Sequence, residues 1–173
     1  MRTTRVWMIV GLTGALAQTA WAQGTPAAAP PAEAKPAEAH VAMSPKDIKW
    51  GDAPPIFVKG AKMAVLYGDP SKDGLFIVRL KMPPNYKIAP HTHPTAESVT
   101  VISGAFAIGM GDAIDAKTKA LPAGSFYSMP AGMHHFAFTK GATEVEVSAM
   151  GPFVLNYINP ADDPSKAAAA APK

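Results

Sequence analysis

Between residues 45 and 160 the chain is cut at close intervals by glycine and proline, and that rhythm most restricts its fold. Lys62 to Tyr67 is a short apolar run closed by Gly68-Asp69-Pro70. Leu75 to Met82 alternates, with Phe76, Val78, Leu80 and Met82 on one face and Arg79 and Lys81 on the other. Ser98 to Ile102 is β-branched and ends at Ser103-Gly104. Ala105 to Met110 follows closely enough to be expected as its hairpin partner. Phe126 to Met129, His134 to Thr139, Glu144 to Ala149 and Phe153 to Ile158 read as further strands. No convincing amphipathic helix competes with them. Many short strands at regular spacing predict an all-β domain, a sandwich or a barrel.

Four of the five histidines fall in two patches of this β-like sequence: His91 and His93, then His134 and His135. In an extended chain, residues two apart point to the same side, so His91 and His93 can present both imidazoles to one point. Glu97 follows a Pro94-Thr95-Ala96 bend that lets its carboxylate swing back as a third ligand. One histidine of the second patch would complete a set of three nitrogens and one oxygen. Such a set suits a divalent transition metal better than calcium or magnesium.

Composition narrows the remaining choices. The 173 residues allow one ordinary domain with tails, and 48% hydrophobic residues are enough for a packed core. A net charge of +3, of which Arg2 and Arg5 belong to a leader, gives no reason to expect nucleic acid or an anionic membrane surface as a partner. The absence of cysteine excludes disulfides, thiolate ligands and a cysteine nucleophile. Residues 1–22 read as a bacterial secretory signal: Arg2 and Arg5, the apolar stretch Val6 to Ala17, then Ala20-Trp21-Ala22 as the cleavage site. The apolar run is shorter than the roughly 20 residues of a spanning helix, so a periplasmic protein with no stable membrane insertion is expected. Residues 23–44 are rich in Ala, Pro, Glu and Lys and read as a disordered linker, with His40 a solvated bystander. The domain is expected over 45–160, with 161–173 a disordered tail.

The two histidine patches, with their surroundings, resemble the cupins. His91, His93, Glu97 and Gly104 stand at the spacing of that superfamily's HxHxxxE motif, and Gly124, Pro130, Gly132 and His135 at that of its PxGxxH motif. The resemblance covers roughly residues 45–160 and implies a single-domain jelly-roll barrel. It also implies one divalent metal (Fe, Mn, Zn, Ni or Cu) held by His91, His93, Glu97 and His135. Two positions depart from the pattern. Asn85 stands where the first motif has glycine, a change asparagine tolerates because it accepts positive φ. Thr139 stands where the second has asparagine, and a hydroxyl does not reproduce an amide's reach.

Neighbours on a strand face opposite ways, so His134 and His135 cannot both be ligands. Motif spacing selects His135, which leaves His134 on the face of Phe136 and Phe138. Those two phenylalanines are expected to meet a second subunit in a homodimer.

The resemblance spans oxygenases, isomerases, decarboxylases and non-enzymatic binders. A metal-dependent enzyme acting on a small molecule, by oxygenase- or isomerase-like chemistry, is the expectation. No further acid or base near the motifs nominates a reaction, so no catalytic residue is assigned. Glu144 and Glu146 alternate with valines and read as a solvated face. Tyr86, Ser98, Met110, Phe126, Tyr127 and Met133 are candidates to line the cavity. The alternative is a non-catalytic metal- or ligand-binding sensor, including copper handling through Met129 and Met133, whose thioethers suit Cu(I).

Overall fold

The computed structural model describes residues 40–169, and within them eleven strands form two antiparallel sheets. In chain order the strands are β1 (Gly51–Asp52), β2 (Lys62–Tyr67), β3 (Gly74–Met82), β4 (Lys87–Thr92), β5 (Glu97–Ser103) and β6 (Ala105–Met110). Then come β7 (Leu121–Pro122), β8 (Phe126–Met129), β9 (His135–Thr139), β10 (Thr143–Gly151) and β11 (Asn156–Tyr157). One sheet has the order β1-β2-β3-β10-β5-β8 and the other β11-β4-β9-β6-β7. The expected secretory signal and most of the linker, residues 1–39, lie outside the described residues, as do residues 170–173. His40 is exposed.

Alternation along the strands places the core between the sheets. In β3 the buried residues are Phe76, Val78, Leu80 and Met82, as the pattern predicts. Val145, Val147 and Ala149 of β10 and Val99 and Val101 of β5 complete that inner face. On the outer face, Arg79 reaches both Glu146 (2.9 Å) and Glu144 (3.4 Å), so these carboxylates form a cross-strand ionic ladder.

Three expectations are corrected. The expected hairpin between 98–102 and 105–110 does not form: β5 pairs with β10 and β8, whereas β6 pairs with β9 and β7. The single residue between them, Gly104, has φ +75° and turns the chain from one sheet into the other. A two-residue turn is what a tight hairpin needs. Only Asn156 and Tyr157 of the expected strand 153–158 pair. The stretch after Asp162, expected to be featureless, carries a short helix, α1 (Pro164–Ala169). Asp163 Oδ1 accepts from both the backbone and the hydroxyl of Ser165 in its first turn.

Phe136 and Phe138 do not form an intersubunit contact surface. Both are buried within the chain and pack with Ala107, under Ile114 and Ala120 of the β6–β7 connection. Phe136 lies opposite Gly109 on β6, and any Cβ there would stand 2.3 Å from its ring. The glycine makes the floor on which the ring rests.

Candidate metal centre

The inner ends of β4, β5 and β9 converge on one point. His91 lies in β4, His93 one residue past its end, Glu97 opens β5 and His135 opens β9. All four are buried, at 2–7% exposure. A register shift in β4 between Ile88 and His91 re-aims the strand end, and His91 pairs directly with His135. The two motifs are tied by their backbones, since Gly132 N–H donates to the His93 carbonyl at 2.8 Å. Gly132 holds φ +72° in that turn.

The ring orientations are set by backbone carbonyls. His91 Nδ1 lies 2.7 Å from Ala89 O, His93 Nδ1 2.7 Å from Val154 O, and His135 Nδ1 2.9 Å from Met133 O. A carbonyl can only accept, so each Nδ1 carries the hydrogen and each Nε2 keeps a free lone pair. One nitrogen of each imidazole lies within 4.8 Å of the others. Glu97 Oε2 stands 3.5 Å from His93 Nε2 and 3.6 Å from His135 Nε2. Burial, with His135 and His93 adjacent, pushes the His91 imidazole down to about 3. Burial likewise lowers His93, despite Glu97 nearby. Both rings are therefore neutral near pH 7, the form that binds a metal.

Three imidazole lone pairs converge on one buried point, with the Glu97 carboxylate beside His93 and His135, an arrangement that a cation among them would stabilise. Nδ1–H groups held by carbonyls are also the usual outer support of metal-bound imidazole. The donor set therefore fits a divalent transition metal. The cavity they open into is about 30 Å³, room for an ion or a water or two. Apolar side chains, among them Leu80, Ile88, Val99, Ile108 and Val147, make the surrounding wall.

Residues 25–145 match the model of a family described as a domain of unknown function, DUF4437. The chain belongs to that family, and with it to the cupin superfamily. A 64-residue stretch of this cupin is 41% identical to the putative germin-like protein 9-2 of Oryza sativa subsp. japonica. That stretch covers 36% of this chain and 30% of the rice protein, so less than a third of the curated relative is matched. Among solved structures, the polyketide cyclase RemF of Streptomyces resistomycificus has a TM-score of 0.62 at 18% identity, over 76% of this chain and 94% of that one. A putative acetylacetone dioxygenase of Methylibium petroleiphilum gives 0.57 at 18% identity, over 79% and 99%. An RmlC-like cupin of Shewanella frigidimarina gives 0.52 at 17%, over 65% and 91%. These likenesses show the jelly-roll fold.

Away from the four donors, the cupin's cavity differs from the sequence expectation. None of Tyr86, Ser98, Met110, Phe126, Tyr127 and Met133 lines it. Met110 and Phe126 are more than half exposed, and Ser98 lies between the inward-facing Glu97 and Val99 on β5. Tyr86 and Tyr127 are anchors whose hydroxyls donate to Val58 O and Phe106 O, each at 2.5 Å. The residues that do close the cavity, and that sequence reasoning missed, include Phe57, Phe153 and Leu155. Phe153 stacks on His93 with centroids 4.7 Å apart and planes at 17°. All three lie outside strands; Phe153 and Leu155 stand two apart in the stretch read as a strand, whereas Phe57 has no periodic neighbours.

His134 is exposed, with its Nδ1 2.5 Å from Asp112 Oδ1, and stands apart from the four donors. Thr139 is buried and serves the turn before β4. Its hydroxyl donates to Pro83 O (2.7 Å) and accepts from Tyr86 N–H (3.0 Å). That turn contains Asn85, whose φ of +61° is the conformation expected at the motif's glycine.

Proposed function

We propose that this chain is a metal-dependent enzyme acting on a small molecule at a centre formed by His91, His93, Glu97 and His135. The donor pattern carries this reading: every Nδ1–H is spent on a carbonyl, and the remaining nitrogens face one buried point beside a carboxylate. A divalent Fe, Mn, Zn, Ni or Cu ion bound there supplies Lewis acidity and open positions for a small ligand. The chain's own groups orient the rings, lower the site's net charge through Glu97, and exclude water with an apolar wall. Fold neighbours named as a polyketide cyclase and a putative acetylacetone dioxygenase support enzymatic use of such a barrel.

Apo-protein reconstituted separately with each of the five metals tests the reading. Dioxygen uptake and the loss of acetylacetone or a related enolisable ketone would be followed, with isomerisation read by NMR. Turnover by one metal form, abolished in His93→Ala, is the expected result. Tight metal uptake with no turnover of any carbonyl compound would overturn the enzyme and leave a binding or sensor protein. Copper handling gains nothing from the geometry: Met129 is fully buried in the core, whereas Met133 is partly exposed in the turn before His134.

Export to the periplasm belongs to the same proposal, resting on Arg2, Arg5 and the Ala20-Trp21-Ala22 site. An intact mass beginning at Gln23 in the periplasmic fraction is expected; full-length protein in the cytoplasm would contradict it. A homodimer, now without Phe136 and Phe138 as its contact, rests on the cupin membership alone, and light scattering decides it.

A further inference from the structure

The cavity that the donors share with the apolar wall, about 30 Å³, is small beside a ring-sized organic substrate. An apolar pocket of about 360 Å³ lies directly beyond one wall of it. That wall is one side chain thick: Phe57, Phe153 and Leu155 line both spaces. The rest of the pocket is built from Pro54, Ile56, Met63, Pro70 and Val154, with Ser71 its one polar side chain and no charged group among the described residues. A second pocket, about 440 Å³, shares only Phe57 with the centre and includes Asp52 and Lys59 in its lining.

The wall is attached to the centre on one side and to a pinned strap on the other. Val154 offers its carbonyl to His93 Nδ1 while its side chain lines the pocket. Phe153 stacks on the same imidazole, and its N–H donates to Pro70 O at 2.7 Å. Phe57 sits between two carbonyls that each receive a tyrosine hydroxyl. Ile56 O accepts from Tyr157 at 2.7 Å and Val58 O from Tyr86 at 2.5 Å. The strap's backbone is thus held on both sides of Phe57, leaving rotation of the ring itself as the simplest way to join the spaces.

We propose that the apolar pocket binds the hydrocarbon part of a neutral substrate, with Phe57 as the partition between it and the metal centre. This deepens the proposed function and rests on that reading. The size sets the class. A cavity of about 150 Å³ lined by aliphatic residues holds one benzene ring, so this one takes an uncharged body of one to two fused rings or the equivalent alkyl mass. A carboxylate or ammonium on that body would meet no partner in the lining.

Indole, neutral and bicyclic, is the probe, with indole-3-acetate as the charged control. Saturation-transfer NMR on the metal-free full chain reads pocket binding independently of the metal. Mn2+-loaded protein then reads distance through relaxation of the probe's protons. Expected are binding of indole, at least tenfold weaker binding of indole-3-acetate, and at least tenfold loss for indole in Met63→Trp with metal content unchanged. Ile56→Phe is the second filling variant, and thermal melts verify that both fold. Phe57→Ala should raise the manganese-induced relaxation of indole several-fold. Indole affinity unchanged in folded Met63→Trp and Ile56→Phe, or equal affinity for indole-3-acetate, would overturn the pocket while leaving the metal centre standing. Failure of all five of Fe, Mn, Zn, Ni and Cu to load, with indole still bound, would instead sink the metal reading and keep the pocket.

Discussion

The direction of a hydrogen bond decides the chemistry of the centre at the scale of single residues. A carbonyl opposite each Nδ1 forces the tautomer, and three forced tautomers turn a histidine cluster into a converging donor set. Thr139 shows the same economy outside it. One hydroxyl donates to Pro83 O and accepts from Tyr86 N–H, so the turn entering β4 depends on it. Thr139→Val keeps the shape and removes both bonds. It should lower stability by about 1–3 kcal/mol, read as a shifted urea midpoint with unchanged slope. A midpoint identical to wild type would mean the turn holds itself. Much at this scale was legible in advance. The choice of His135 over His134 followed from motif spacing, and the tolerance of Asn85 for positive φ from its side chain. The carbonyl partners were not legible, because Ala89, Val154 and Met133 act through backbone atoms that every residue carries.

Among the elements, Gly104 is the joint on which the jelly roll turns. At φ +75° it passes the chain from β5 in one sheet to β6 in the other, and a Cβ there would stand 2.4 Å from Ala142 O. Gly104→Ala combines a left-handed backbone with a backbone clash and should cost roughly 2–4 kcal/mol. A thermal melt within a degree of wild type would refute that account. Phe136 belongs to this scale too. Its ring lies over Gly109 beneath the β6–β7 connection, so Phe136→Ala should cost about 3–5 kcal/mol as a core truncation. Light scattering should show no change of oligomeric state in the folded variant; a shift in assembly would restore the intersubunit role. Strand positions were readable from alternation, since period two survives whichever sheet a strand joins. Partnership was not: nearness in sequence suggested a β5–β6 hairpin, while the inward faces require long-range pairing with β10 and β9. Phe57 escaped for a related reason, being a core residue on an irregular segment with no period to reveal it.

For the whole molecule, the burial of these imidazoles sets how stability depends on pH. Burial holds the His91 imidazole near 3 and depresses His93, against 6.5 for a free side chain. The unfolded chain therefore binds more protons than the folded one between these limits. The metal-free domain is at full stability, as far as these groups are concerned, above pH 6.5, and loses it progressively as pH falls toward 3. Melting temperature in the presence of a chelator should fall over that window, and a flat profile would deny that the imidazoles are buried and neutral. Metal that binds only the folded state should raise the melting temperature at pH 7. The motifs pointed to the clustering of His91, His93 and His135 because a ligand set would need fixed residue types at fixed spacing. The pocket beside it was invisible, since its apolar lining comes from distant segments and any similar side chain could serve.

The most direct test is metal content by mass spectrometry on the protein purified from its native compartment, alongside His135→Ala and His134→Ala. One transition-metal ion per chain is predicted, lost in His135→Ala and retained in His134→Ala, whose ring points instead to Asp112. A folded wild-type protein that takes up none of Fe, Mn, Ni, Zn or Cu after reconstitution, or a His135→Ala variant that keeps its metal, would contradict the account.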